Sequence, residues 1–249
     1  MSNSTSLYRT SVIYEPRGKA REYSPLAVNI YSGCSHQCEY CYAPATLHVL
    51  KEKFHESYPR TNILDKIEKD AQKLQLANKK ESVLLCFTCD PYQPIDDKYL
   101  LTRKTIEILH YYNLDVMLLT KGGLRAERDF DLLTSKDWFG VTLTNLNDTL
   151  SLQWEPGAAL PEERINSLYM AHEKGIKTWI SLEPVLYPEV SLEIIRRTHS
   201  FVDKYKVGIL NYHPHSKNID WHKFAIDVSD VFIKLRCDYY LKNDLRRLL

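Results

Sequence analysis

No stretch of the 249-residue chain approaches the ~20 consecutive apolar residues that span a bilayer. The opening segment, "MSNSTSLYRTSVIYEPRGKAREYSP", is polar and broken by charges and prolines, so it does not read as a secretory signal. No sign of charge dominates: 33 Lys plus Arg against 32 Asp plus Glu leave a net +1. That balance excludes a globally basic nucleic-acid binder and leaves room for a local basic patch. Cysteine is sparse at six residues, and three of them (Cys86, Cys89, Cys237) are scattered, which excludes a disulfide framework. No repeat, low-complexity tract or Gly/Ser linker divides the chain. These absences predict a soluble protein of the reducing cytoplasm, built as one domain over residues 1–249. A hydrophobic fraction of 44% and a charged fraction of 26% supply an ordinary globular core.

What is present is alternation. Short aliphatic and β-branched runs, "LAVNIY" (26–31), "SVLLCF" (82–87), "DVMLLT" (115–120), "FGVTLT" (139–144), "KTWISL" (177–182) and "KVGILN" (206–211), suit strands buried on both faces. Amphipathic helical patterns lie near 45–55, 62–78, 99–112, 126–136, 161–174, 190–204 and 220–236. Pro161 before "EERINSLYMAHEKG" puts acids at a helix start and Lys-Gly at its end. Strand–helix alternation implies parallel strands with right-handed crossovers. Six such units build a partial barrel or an open sheet, and both collect ligands at the C-terminal strand ends.

The loop after the first strand, "GCSHQCEYCYAP", carries Cys34, Cys38 and Cys41 spaced C-x3-C-x2-C, with no fourth cysteine nearby. Structural zinc wants a fourth Cys or His at matching spacing; His36 lies inside the loop, and His48 and His55 fall in a predicted helix. The other reading is a [4Fe–4S] cluster held by three thiolates, its fourth iron left for a substrate or cofactor.

The cysteine spacing, with aromatic Tyr40 before the last Cys, resembles the signature of the radical SAM superfamily. The resemblance implies that S-adenosylmethionine chelates the open iron and is cleaved reductively to a 5′-deoxyadenosyl radical that abstracts hydrogen. Five segments, "GKAREYSPLAVNIYSGCSHQCEYCYAP", "TCDPYQPID", "LLTKGGLRAERDFDLL", "WEPGAALPEERI" and "EKGIKTWISLEPVLYP", resemble in order the blocks of the spore photoproduct lyase-like group over roughly residues 18–188. Weaker echoes follow in "GILNYHPHSKNIDW" and "YLKNDL". The expected fold is a partial (β/α)6 TIM-type barrel with a core at about 26–211, an N-terminal extension and a C-terminal helical cap at about 212–249.

By that resemblance Cys34, Cys38 and Cys41 are the cluster ligands. Thr88, Cys89 and Asp90 end the second strand and face the cofactor, and Lys121, ending the third, pairs with the carboxylate of S-adenosylmethionine or is a solvated loop lysine. Thr142 bonds the ribose or methionine portion or is only a strand-former. Glu155 and Arg164 either contact the cofactor or form an ion pair that braces the loop. Tyr40 and Tyr42 flank Cys41 and shield the cluster, or Tyr42 relays hydrogen atoms. The group's hydrogen-donating cysteine aligns with Phe87. Strand alternation would keep position 89 on the same face, so Cys89 either donates hydrogen or lines the cofactor pocket while Cys86 lies in the core.

Three functions follow. The resemblance implies a lyase- or isomerase-type radical enzyme acting on a nucleic-acid base such as thymine or a modified pyrimidine, with DNA as partner, a basic rim at the barrel mouth, and an external one-electron reductant of flavodoxin type. A radical enzyme on a peptide or small metabolite predicts a narrow, closed pocket instead. A non-enzymatic iron–sulfur or zinc protein would cleave no S-adenosylmethionine. "RGKAREYSP" and "NYHPHSKNIDWHKF" mix basic and aromatic residues as nucleic-acid contacts do, or form a solvated strand and a surface loop whose His213 and His215 lack an acidic or thiolate partner. The oligomeric state is not legible.

Overall fold

The structure, a computed structural model, describes residues 11–249; expectations for residues 1–10, including the start of the N-terminal extension, lie outside the described residues. The strands are β1 (Ile13–Tyr14), β2 (Leu26–Val28), β3 (Tyr31–Ser32), β4 (Tyr58–Pro59), β5 (Val83–Leu85), β6 (Val116–Thr120), β7 (Trp138–Thr142), β8 (Lys177–Leu182), β9 (Lys204–Val207) and β10 (Asp238–Leu241). The helices are α1 (Ala43–Leu47), α2 (Lys51–Phe54), α3 (Ile63–Leu76), α4 (Asp96–Tyr99), α5 (Leu101–Tyr111), α6 (Asp148–Trp154), α7 (Pro161–Glu173), α8 (Pro188–Thr198), α9 (Trp221–Leu235) and α10 (Asn243–Arg246). One sheet runs β1-β2-β5-β6-β7-β8-β9-β10, with β1 antiparallel to β2 and every other neighbour parallel. β3 and β4 form a separate antiparallel pair.

All six expected strands are present, as the α/β barrel reading requires. β10 adds a seventh parallel strand inside the segment expected to be a helical cap. Its "DYYL" is too short and too polar to stand out in sequence, and it forms because β9 offers an open edge. The helix expected at 126–136 is instead a 3₁₀ run, Gly123–Asp129, followed by turns. There Arg103 gathers the Arg128 carbonyl and the Asp129 and Asp131 carboxylates, contacts a continuous α-helix would not present together. The helix expected at 45–55 splits into α1 and α2 at His48, whose φ is +54°. "RGKAREYSP" holds a 3₁₀ turn over Gly18–Glu22 rather than a strand. α6 was not foreseen; the Asn147 side chain caps it by accepting from the Leu150 N–H at 3.0 Å.

Strand alternation separates two apolar layers. Val28, Leu85, Leu118, Val141, Ile180 and Val207 face outward onto helices carrying Ile67, Ile106, Leu168, Ile194 and Phe232. Each such fully buried side chain contributes roughly 1.5–3 kcal/mol. Ala27, Leu84, Met117 and Trp179 face the barrel lumen, joined by Tyr14, Tyr23, Phe87, Leu119 and Trp138. The Trp179 indole satisfies its N–H on the Leu118 carbonyl at 3.0 Å, so its bulk plugs the lumen without an orphan donor.

At the opposite end from the cysteine loop, Asp137 ties the entry to β6 to the turn before β7. Its carboxylate accepts from the Val116 N–H (2.7 Å), the Thr134 N–H (2.7 Å) and hydroxyl (2.8 Å), and stands 3.1 Å from His110 Nε2. Burial pushes its pKa up, and His110 and the backbone donors more than offset this, leaving it below the ordinary 3.8. Asp137→Ala is expected to lower unfolding free energy by about 3 kcal/mol, read by denaturant melts. A carboxyl depressed in the folded state stabilises above its unfolded pKa. The part of the wild-type advantage that comes from the shifted carboxyl should therefore be full at neutral pH, start to fall near the ordinary 3.8 and be lost as pH drops through the lower folded-state value.

Candidate functional site: the cysteine loop and the barrel mouth

The loop over residues 33–42 leaves β3 and crosses the C-terminal mouth of the sheet. Other segments fix its backbone. Cys34 N–H donates to the Phe54 carbonyl (2.8 Å), and Glu39 N–H donates to the Trp154 carbonyl (2.9 Å). Gln93, wholly buried, accepts from Ser35 N–H (3.0 Å) and donates to the Gly33 carbonyl (3.3 Å). Gly157 N–H donates to the His36 carbonyl (3.0 Å), and a β-carbon at 157 would lie 2.1 Å from Ser35 O. The segments "TCDPYQPID" and "WEPG" thus act first as clamps on the cysteine loop.

All three loop cysteines are free thiols; Cys38 is buried and Cys34 and Cys41 are partly so. Burial, then the Asp90 charge, raises the Cys34 thiol well above its ordinary value, and burial raises Cys41. Cys38 is pushed up to about 12, burial leading and the nearby Lys121 pulling the other way. Thiols so placed stay protonated at neutral pH unless a cation takes them as thiolates, releasing their protons. Among the described residues no three His, Cys, Asp or Glu side chains converge as ligands of a single metal ion. The fit to an iron–sulfur cluster therefore rests on the kind, number and burial of the thiols and on Lys121. The Lys121 ammonium finds no hydrogen-bond acceptor among the described residues and lies 5.8 Å from the Tyr40 ring centre.

Around the loop the charges are ordered by two buried carboxylates. Asp90 accepts from Tyr92 N–H (2.8 Å), the Thr120 hydroxyl (2.6 Å) and Lys121 N–H (2.7 Å), and stands 3.4 Å from His36 Nδ1. Burial raises its pKa, and His36, Thr120 and Lys121 together hold it well below the usual carboxylate range. Its oxygens are thereby engaged by protein donors. Glu155 accepts from the Tyr40 hydroxyl and pairs with Arg164 at 2.6 Å, both partners 1% exposed. Arg164 also donates to the Ala159 (2.8 Å) and Thr142 (3.0 Å) carbonyls. The acid and guanidinium thus form the ion pair that one of the two sequence readings described.

Thr142 ends β7 on the lumen face, paired in register with Ser181 of β8, which pairs with Lys206 of β9. Thr88 N–H and Phe87 N–H both donate to Asn29 Oδ1 (2.9 and 2.8 Å), bending the chain just past β5. Because β5 ends at Leu85, alternation does not carry to position 89. Phe87 turns into the lumen against Tyr23 (ring centres 5.9 Å), while Cys89 packs beside Cys86 and lies near Cys34 of the loop. Tyr42, half exposed, donates its hydroxyl to the Phe87 carbonyl at 3.0 Å. His213 and His215 pack edge-on to Trp154, 5.0 and 5.6 Å between ring centres. Two surface concavities of about 420 and 480 Å³ adjoin Asp70 and Arg60 respectively and do not reach the cysteine loop.

Sequence reasoning passed over a polar group in the lumen: Tyr23, Ser181, Glu183, Lys206 and Lys242. The Tyr23 hydroxyl lies 2.8 Å from Ser181 Oγ and donates to Glu183, which Lys242 grips at 2.8 and 2.9 Å. Lys206 donates to the Glu22 (3.1 Å) and Tyr23 (2.6 Å) carbonyls. Burial lowers Lys206 to about 8. The available signal was charge and hydroxyl at lumen parity on strands otherwise apolar.

A profile of the Radical SAM superfamily matches residues 28–202, more than half of the chain. The chain belongs to the Radical SAM superfamily, a class of enzymes whose cofactors are a [4Fe–4S] cluster and S-adenosylmethionine. It is 29% identical over 189 residues to the uncharacterized protein MJ0683 of Methanocaldococcus jannaschii, covering 74% of this chain and 70% of the relative. It is 23% identical to the uncharacterized protein ORF301 of Acidianus two-tailed virus, covering 87% and 81%. Among solved structures it is similar to spore photoproduct lyase with bound AdoMet and dinucleoside spore photoproduct: TM-score 0.71, 16% identity, 94% of this chain and 80% of that one. SuiB of Streptococcus suis bound to S-adenosylmethionine superposes with a TM-score of 0.67 at 13% identity, over 87% of this chain and 50% of that one. At these identities the likeness is one of fold, the partial TIM-type barrel.

If Gly157 is the spacer that seats the cysteine loop, Gly157→Ala should preserve the far-ultraviolet circular dichroism while cutting iron bound per chain after anaerobic reconstitution by about half or more, since a contact of this kind forces backbone to move.

Proposed function

We propose that this radical SAM enzyme acts on a nucleic-acid base, thymine or a modified pyrimidine, in lyase- or isomerase-type chemistry. The observation that carries the reading is the lining of the lumen mouth. Tyr23 and Phe87 are partly exposed aromatic rings at the mouth, above the buried Trp179 that floors the lumen, with the Lys206 and Lys242 ammoniums 5.1 and 4.8 Å from the Tyr23 ring centre. Spore photoproduct lyase, on the same fold, holds a dinucleoside spore photoproduct, which supports the same reading. Basic residues near the mouth are largely paired, Lys19 with Asp244 (2.5 Å) and Lys51 with Glu39 (2.7 Å), in place of the expected basic rim. Recognition then rests on the base more than on phosphates.

Cys34, Cys38 and Cys41 are proposed to hold the cluster and Lys121 to take the carboxylate of S-adenosylmethionine as a point charge. When bound, the two cofactors supply a 5′-deoxyadenosyl radical, strong enough to take hydrogen from an unactivated carbon. Thr142 and Thr88 hold the nucleoside portion from the strand ends, and Asp90 and Cys89 form the wall behind them. Glu155, Arg164 and Tyr40 keep the loop seated and shield it from water, and Tyr42 stands between the loop and the lumen. An external one-electron donor of flavodoxin type serves the cluster, and the protein works in the cytoplasm. No helix among the described residues is long and apolar enough to cross a membrane.

Cys34→Ala, Cys38→Ala or Cys41→Ala should each abolish cluster loading and 5′-deoxyadenosine formation. Lys121→Ala should weaken S-adenosylmethionine binding by about tenfold or more by equilibrium dialysis. The substrate test is anaerobic turnover with thymine-deuterated DNA, following deuterium into 5′-deoxyadenosine by mass spectrometry. Transfer supports the nucleobase reading. Transfer from deuterated peptides alone would replace it with the peptide reading; SuiB, on this fold, has been solved bound to its precursor peptide SuiA.

A further inference from the structure

Glu183 and Lys242 form an ion pair that none of the cofactor assignments uses. Glu183 follows β8 on the lumen side, one residue past Leu182, and Lys242 follows β10. Their side chains are 17% and 6% exposed, so the pair is nearly buried yet open toward the mouth. Tyr23 donates to the same carboxylate and is itself fixed by Ser181. Burial and the Glu183 charge keep the Tyr23 hydroxyl protonated, so it stays a donor. The fold also reserves this space: a β-carbon at Gly208 would lie 2.6 Å from the Glu183 carboxyl carbon. A buried ion pair of this kind is weak support for stability, since an apolar pair of similar size does as well or better. Its place at the mouth, beside Ser181 and Lys206 and above the apolar layer of Ala27, Leu84, Met117 and Trp179, points to recognition.

The unused valences define what is recognised. Lys242 directs N–H groups at Glu183 and keeps at least one more; Glu183 Oε1 accepts only from Lys242 and keeps a free lone pair. A donor therefore sits beside an acceptor. We propose that Glu183 and Lys242 together read one edge of a planar heterocycle that carries an acceptor next to an N–H donor. This rests on the nucleobase reading above and sharpens it. The lactam edge of thymine or uracil presents C=O and N–H side by side, and the amidine edge of cytosine does so with N3 and the exocyclic amine.

The test uses the anaerobically reconstituted full chain with S-adenosylmethionine and three probes, thymidine, N3-methylthymidine and 2′-deoxycytidine, followed by titration calorimetry. Thymidine or deoxycytidine should bind, and whichever binds tighter names the edge. N3-methylthymidine, which lacks the donor, should bind the wild type at least about tenfold more weakly than thymidine, because a site built for a hydrogen bond is left unpaired. Glu183→Gln and Lys242→Met should each weaken binding of the preferred nucleoside by a similar factor. Equal affinity for thymidine and N3-methylthymidine in the wild type, with deuterium still moving from thymine in DNA, overturns this inference alone. Absence of nucleoside binding together with absence of deuterium transfer overturns the nucleobase reading itself. The methylated probe is read on unmutated protein, so a variant that fails to fold cannot mask either result.

Discussion

The buried pair of Glu155 and Arg164 is the interaction on which the arrangement of the mouth depends. Arg164 enters from the first turn of α7, where Pro161 and two glutamates start the helix, and reaches across to the end of β7 through the Thr142 carbonyl. Glu155 closes α6 and takes the Tyr40 hydroxyl, which belongs to the cysteine loop. One charge pair therefore joins two helices, a strand and the loop. Removing either partner would leave the other charged and uncompensated in a dry interior, a cost of about 3–5 kcal/mol. Asp90 does the equivalent on the other flank, joining the ends of β5 and β6 to His36.

Between these two carboxylates the thiols occupy a setting that is unfavourable for bare thiolates and favourable for thiolates shared with metal. Burial raises all three, and Lys121 is the cation whose charge opposes that rise most for Cys38. Gln93 and Gly157 anchor the backbone of the loop that carries these thiols. The protein's part in radical SAM chemistry is to hold, orient and exclude water.

Much of the fold was legible from residues 26 to 207. Six short aliphatic runs became six neighbouring parallel strands, because a strand buried on both faces has to be apolar throughout. β10 was not legible: "DYYL" carries a charge and two half-exposed tyrosines, and it is a strand only because β9 leaves an edge to pair with. The 3₁₀ run at Gly123–Asp129 was misread because its apolar spacing is helical, while Arg103, upstream in α5, decides its path. The expectation that positions 87 and 89 share a strand face fails for a related reason. Asn29 bends the chain past Leu85, and strand periodicity stops where the hydrogen-bond ladder stops.

By itself the sequence determined the cofactor chemistry and the order of the barrel units. The three clustered thiols sit within eight residues of one another, and hydrophobic period is a local property. Only tertiary structure decided which polar residues share the lumen. Tyr23, Ser181, Glu183, Lys206 and Lys242 span more than 200 positions and meet because strand parity and sheet register bring them to one height at the mouth. No local pattern encodes that meeting, since a pleated strand assigns each side chain a face but not the neighbours it finds there.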